Sequence, residues 1–226
     1  MDLAWEFFDR DLFPEYAFVL ADSQTRGRGQ FGREWVSAPG NLFVTLRLPD
    51  SARALDHLLP LALALVVAKA LDRLHVSVRI KWPNDLMTGD AKAGGILIEH
   101  KGTVIMAGLG LNICSAPENS LLEFFFHIKS GCLKNSGVNL EPSEIWTLIL
   151  EQIKCGLPGM IASPATVVED VQKQLAFIKE TVVLENTVDN DGPARILGID
   201  LHGRLIIETT KGVKSINRGR IYPRVV

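Results

Sequence analysis

The chain has 226 residues, enough for one sizeable core with a small appended module. A hydrophobic content of 47% beside 22% charged residues is that of an ordinary globular protein, and a formal net charge of −2 argues against a sequence-independent nucleic-acid binder, which needs a strong basic excess. Cys114, Cys132 and Cys155 lack C-x-x-C spacing and have no paired histidines nearby, so neither a zinc site nor a disulfide framework is predicted, and a reducing cytoplasm is the expected setting.

Residues 2–10 (DLAWEFFDR) predict a short amphipathic helix packed through Trp5, Phe7 and Phe8, and the acidic start predicts no signal peptide. Residues 17–21 (AFVLA) read as a buried strand, 25–40 as a glycine- and arginine-rich loop, and 42–48 (LFVTLRL) as an alternating strand. The strongest helix is expected at 54–74. Its apolar run at 58–70, broken by Pro60 and Lys69, is too short to span a bilayer, so no membrane partner is expected. Residues 76–82, 94–99 and 104–113 are β-rich and separated by turns, Met87-Thr88-Gly89 among them. The 116–141 region has little pattern, and its Phe124-Phe125-Phe126 run reads first as core, with a dimer contact as the alternative. Helices are expected at 142–155, opened by Pro142-Ser143-Glu144, and at 165–175. Short β segments with turns at 189–192, 202–203 and 211–212 then predict a small antiparallel barrel, with a domain boundary near 176.

Three stretches carry chemistry. The first, GRGQFG at 27–32, matches the G-x-G-x-x-G dinucleotide fingerprint as a string, but that fingerprint needs a helix after the third glycine to hold a pyrophosphate. Here Gly32 leads to REWVSAPGN, where Pro39 and Gly40 break any helix before the next strand. Asp50 stands at the distance of a ribose-binding acid with no crossover helix to fit between. Two readings of the loop stay open. Arg26, Arg28 and Arg33 are simply solvated, or they close over a phosphate-bearing anion that the glycines let the backbone approach.

The second stretch is IKWPNDLMTGDAKAGGILIE at 80–99. Ordinary turn chemistry accounts for much of it, but Lys92 sits among small residues at the edge of an apolar strand, where a lone lysine wants an anion. The third, AGLGLNI at 107–113, places Gly108, Gly110 and Asn112 in an apolar strand, where glycine marks close approach of a ligand or another backbone.

GRGQFGREW, WVSAPGNL, KWPNDL, KAGGILIE and GLGLN, in this order, resemble the motifs of the biotin protein ligases, and GIDLHGRLIIETTKGVKSINRGRI resembles that family's C-terminal SH3-like barrel. The resemblance implies an α/β (α+β) fold, with a mixed-sheet class II synthetase-like catalytic core at 1–175 and an SH3-like barrel at 176–226. It implies an ATP-dependent, two-step ligase. The biotin carboxylate attacks the α-phosphate of ATP to give biotinyl-5′-AMP, and a lysine of a biotin carboxyl carrier domain then takes the acyl group. Mg2+ is expected with ATP, a homodimer is left open, and no nucleic acid is expected.

The resemblance also implies residue roles. Lys92 and Arg28 are catalytic, and Lys92 neutralises the reacting carboxylate and phosphoryl oxygens. Gln24, Gly27, Arg28, Gly29, Gln30, Arg33, Trp35, Lys92, Gly94 and Gly95 hold biotin or the adenylate. Lys81, Asn84, Asp85 and Asn112 serve nucleotide and magnesium positioning. Two other readings are a lipoate or octanoate ligase of the same superfamily and a biotin-binding paralogue without transfer.

Two departures stand out. The family's second loop arginine, in G-R-G-R, is Gln30 here, and a neutral amide gives no charge-assisted grip on an adenylate. A Ser-Thr-Asn-like motif opens the family's first helix. Counted back from Gln24, Met1 falls near its Asn, so a Ser-Thr pair is expected just upstream in a longer natural protein. No N-terminal DNA-binding helix-turn-helix is expected, and no repressor role.

Overall fold

A computed structural model describes residues 1–117, 128–185 and 192–223. In chain order its first elements are α1 (Asp2–Asp9), β1 (Phe18–Ala21), β2 (Leu42–Arg47), α2 (Leu59–Asp72), β3 (Arg79–Lys81) and β4 (Asp85–Thr88). Next come β5 (Ala91–Lys101), β6 (Val104–Leu111), β7 (Lys129–Ser130), α3 (Pro142–Ala162) and α4 (Pro164–Gln174). Five strands follow: β8 (Thr181–Glu185), β9 (Pro193–Ile199), β10 (Leu205–Thr209), β11 (Gly212–Ile216) and β12 (Arg220–Pro223). The Phe124-Phe125-Phe126 run and the 189–191 turn lie outside the described residues.

The apolar run organises the core. In α2 nearly every side chain is buried, which marks a central helix rather than an amphipathic surface one. Pro60 lies in its first turn, where a missing N–H costs nothing. The helix starts later than the sequence predicts, because residues 50–58 form 3-10 turns kinked at Asp56, whose φ is 45°. At 14 residues α2 is about 21 Å long, short of the roughly 30 Å of a bilayer core. The stretch from Asp50 to Asp72 is long and apolar enough for a span only with the 3-10 segment included, and its most apolar window is 72% buried in the protein. Helices α3 and α4 pack on α2. A capping box joins Glu141 and Glu144 at the start of α3, which runs through Pro158 beyond the predicted end at 155.

The first sheet has the order β1-β2-β6-β5-β4-β3, antiparallel throughout, with β7 added parallel to the start of β5. Alternation sorts its side chains. Val44, Leu46, Ile96, Ala107, Leu109 and Leu111 join the core with α2, while Thr45, Gly95, Leu97, Gly108 and Gly110 line a cleft.

Two sequence readings need correction. The expected buried strand at 17–21 is an edge of the sheet, pairing with β2 alone among the described residues, and its Phe18 and Leu20 are 42% and 38% exposed. The expected turn at 87–89 is mostly strand, since Met87 and Thr88 belong to β4 and only Gly89 takes positive φ.

The last five strands form an antiparallel sheet of order β11-β10-β9-β8-β12. It is fastened to the first sheet. Trp82 Nε1 donates to the Gly203 carbonyl at 2.9 Å, Ala176 N–H donates to the Ile80 carbonyl at 2.9 Å, and one hydrophobic cluster runs through both parts. A side chain on Gly203, whose φ is +73°, would press on the Leu58 backbone.

Candidate functional site

On the sheet face away from α2 lies an open cleft of about 1340 Å³. Of the residues assigned to a site from sequence, all but Gly27 and Gly94 line it. Those two glycines serve close packing instead. A Cβ on Gly27 would stand 2.3 Å from the Trp35 carbonyl, and one on Gly94 2.8 Å from that of Gly110. Gly108 and Gly110 mark close approach as predicted, but the approaching groups are the chain's own side chains. A Cβ on Gly110 would meet the Trp35 indole at 2.7–2.8 Å, and one on Gly108 the Met1 methyl at 2.6 Å. Gly95 is the cross-strand partner of Gly110, and a Cβ there would lie 3.5 Å from the same indole. The indole therefore lies on a floor of two paired glycines.

Beside it sits a cluster of three charges. Asp85 Oδ2 accepts from Lys81 Nζ at 2.7 Å, and Asp85 Oδ1 is 2.6 Å from Lys92 Nζ. Lys92 Nζ also stands 5.4 Å from the centre of the Trp35 ring, within cation–π range. Lys81 and Asp85 are buried, whereas the Lys92 side chain is 32% exposed towards the cleft. Burial alone would raise the Asp85 carboxyl. Lys81 and then Lys92 overturn that and hold it well below the usual carboxylate range. For Lys81, burial pushes the ammonium below its ordinary value against the opposing pull of Asp85. The cluster is a carboxylate shared by two cations, with a net positive charge and one cation facing outward.

Two buried asparagines complete the floor. Asn84 Nδ2 donates to the Ile96 carbonyl, tying the Trp82–Asn84 turn to β5. Asn112 Nδ2 donates to Gly131 O at 3.0 Å, while its Oδ1, at the cleft, is buried without a hydrogen-bond partner. A buried acceptor left in this way is a candidate ligand contact. Trp35 Nε1, a donor, is likewise buried without a partner.

The arginine–glycine stretch forms a small hairpin over the cleft. Gly29 N–H donates to Arg33 O, Trp35 N–H donates to Gly27 O, and residues 30–32 make a 3-10 turn with Phe31 at φ 59°. No helix follows Gly32, as the sequence predicts. Arg33 and Gln30 line the cleft, and Gln24 accepts from the Ser37 hydroxyl at 2.9 Å. Arg28 is engaged. Its Nη1 and Nη2 reach Asp2, and its Nε reaches Glu99 at 3.0 Å. Asp2 above all, and then Glu99, raise its guanidinium above the ordinary value despite burial. Glu99 also accepts from Trp5 Nε1.

The residues expected to position magnesium offer no free carboxylate, since both Asp85 oxygens are held by lysines. Among the described residues no cluster of three His, Cys, Asp or Glu side chains could hold an ion. A magnesium cage built from the described residues does not fit this donor set.

Several site residues escaped the sequence reading. Asn41 Oδ1 accepts from the N–H groups of Ile113, Cys114 and Ser115, shaping the exit of β6. Its signal was its place in WVSAPGNL. Asp2 and Glu99 were unassigned, as were Arg220 and Tyr222 of β12, which line the cleft from the second sheet.

The model of the biotin/lipoate A/B protein ligase family matches residues 1–113. The chain is 28% identical over 211 residues to the bifunctional ligase/repressor BirA of Bacillus subtilis, covering 90% of this chain and 65% of that protein. It is 38% identical over 119 residues to the biotin–[acetyl-CoA-carboxylase] ligase of Paracoccus denitrificans, covering 47% and 48%. Its fold superposes on the biotin protein ligase from Aquifex aeolicus in complex with biotin and ATP with a TM-score of 0.77 at 25% identity, covering 94% of this chain and 91% of that one.

Proposed function

The chain belongs to the biotin/lipoate A/B protein ligase family, and from that premise we propose that it is an ATP-dependent biotin protein ligase. The reading rests above all on one observation: Lys92, held by Asp85 and facing the cleft beside Trp35. Joining a carboxylate to the α-phosphate of ATP brings two anions together, so a cation fixed at the meeting point serves the step directly.

The first step forms a bond from a biotin carboxylate oxygen to the α-phosphorus and expels pyrophosphate, giving biotinyl-5′-AMP. In the second, a carrier lysine attacks the acyl carbon and AMP leaves. Lys92 exchanges part of its contact with Asp85 for the reacting oxygens, and Lys81 keeps Asp85 ionised behind it. Trp35 covers the acyl group, and the free Asn112 Oδ1 receives an N–H donor of the ligand. Arg33 takes phosphate from the hairpin. Arg28 roots that hairpin to Asp2 and Glu99, and an incoming anion competes with those carboxylates. Bound with ATP, magnesium would offset charge on the triphosphate.

The 1–175 part is then the class II synthetase-like catalytic unit and 176–226 an appended SH3-like module. The protein partner is a biotin carboxyl carrier domain, and the setting is the cytoplasm. The test is transfer of labelled biotin to a carrier domain with ATP and magnesium. A parallel ATP–pyrophosphate exchange panel uses biotin, lipoate and octanoate. Exchange with biotin and labelled carrier is expected. Exchange confined to lipoate or octanoate would move the chain to another branch of its family, and biotin binding without exchange would make it a binder.

A further inference from the structure

At its tip, the hairpin over the cleft meets a residue of the second sheet. Phe31, at its tip, holds a positive φ that a bulky residue adopts only when its surroundings fix it, and its side chain projects outward at 62% exposure. The Arg220 guanidinium carbon lies 5.5 Å from the centre of that ring. Arg220 is on β12, and its direct partner across the ladder is Glu185 of β8. Glu185 Oε2 receives Arg220 Nη1 at 3.3 Å and the Tyr222 hydroxyl at 3.1 Å. The guanidinium is thereby aimed out of the second sheet towards the hairpin, and its Nε is buried without a hydrogen-bond partner. Gly219, Arg220 and Tyr222 line the same cleft as Lys92 and Trp35.

We propose that Arg220 is a positioning residue: oriented by Glu185, it clasps the Phe31 ring and holds the arginine–glycine hairpin across the cleft, so that the C-terminal sheet sets how long a ligand stays beneath Trp35. A cation over an aromatic face has the right strength for this. It is strong enough to bias the hairpin and weak enough to release it. The clasp itself follows from the ligand-free geometry, and its consequence for an acyl-adenylate rests on the function proposed above.

The test therefore has two arms. In the first, the ligand-free full chain is digested with limiting trypsin, and cleavage after Arg26, Arg28 and Arg33 is followed by mass spectrometry. Arg220→Met is expected to raise hairpin cleavage about fivefold, and Arg220→Lys, which keeps the cation, to restore most of the protection. Cleavage of Arg220→Met at the parent rate would overturn the clasp.

In the second arm, biotinyl-AMP is formed on the enzyme and its escape is timed by chase. Arg220→Met and Phe31→Leu, the latter at an exposed tip where folding is not at stake, should each speed escape about fivefold, and the double variant no further. Additive effects, or escape unchanged in both single variants, would overturn the proposal. A parent that forms no adenylate removes the proposed function but leaves the digestion arm to decide the clasp.

Discussion

The floor of the cleft carries its charges on strands and buries all of its central cluster but Lys92, whereas the roof carries its charges on a hairpin and leaves most of them in water. On the floor, Lys81, Asp85 and Asn112 are fixed by the ladder, by each other and by backbone carbonyls. In the roof, the Arg28 side chain is held by carboxylates from other elements, and the Phe31 ring meets a guanidinium of the second sheet. The difference separates two tasks. A reacting centre gains from groups that need no rearrangement at the moment charge develops. A cover that must admit and release a ligand needs contacts that exchange easily.

The sharpest way to break this division is at Lys92. Lys92→Ala removes the outward-facing cation of the floor and is expected to lower the rate of ATP–pyrophosphate exchange about a thousandfold. Because Lys92 is partly exposed and Asp85 keeps Lys81, the thermal midpoint should change little. Unchanged exchange would remove Lys92 from the chemistry.

Asp85→Asn attacks the same cluster from behind. It leaves the buried Lys81 ammonium without its carboxylate, and the expected cost is about 3 kcal/mol of folding stability in urea titrations. The pH dependence gives a second reading. The folded carboxyl titrates below its unfolded value of about 4, so the stabilisation is complete above that pH and is lost as pH falls through the folded value. As pH falls below about 4, the parent should therefore lose stability more steeply than Asp85→Asn. Parallel profiles would show that the carboxylate is not held as the geometry implies.

Gly110→Ala tests the join between floor and roof. Its Cβ would overlap the Trp35 indole at 2.7–2.8 Å, so the ring must shift to make room. The ring should lift from the floor, raising the KM for biotin about tenfold with a smaller change in kcat. Equal effects on both would place the indole in the chemical step.

Much of the floor was legible from the sequence because its signals are local. A lone lysine at the edge of an apolar strand, glycines inside a strand and a Pro-Asn-Asp turn each carry their meaning within a few residues. β4 was hidden for the same reason. Four strand residues lie between two turn signals, and the turn chemistry dominated the reading. β1 was misplaced because apolar composition does not tell an edge strand from a buried one. What holds the roof could not be read locally at all. Arg28 finds Asp2 and Glu99 at separations of 26 and 71 residues, and Phe31 finds Arg220 across two sheets. The hairpin motif announced its arginines but not which of them are already paired.

The smallest expected effect concerns Gln30, which opens the 3-10 turn at the tip of the hairpin and lines the cleft beside Arg33. A neutral amide there contributes an ordinary hydrogen bond to an anionic ligand, and a guanidinium would contribute a charge-assisted one. The difference is about 1 kcal/mol, or roughly fivefold in a dissociation rate. Gln30→Arg is accordingly expected to slow escape of biotinyl-AMP about fivefold, read by the same chase that tests the clasp. The substitution also separates two ways of holding the roof. If the hairpin is retained mainly by Arg220 from outside, the gain from Gln30→Arg should persist in Arg220→Met, because the added guanidinium acts on the ligand and not on Phe31. If the gain vanishes once the clasp is cut, the hairpin must first be positioned before any arginine on it can reach the ligand. Equal escape from Gln30→Arg and its parent would mean that the cation count of the roof does not set retention, leaving that task to the floor.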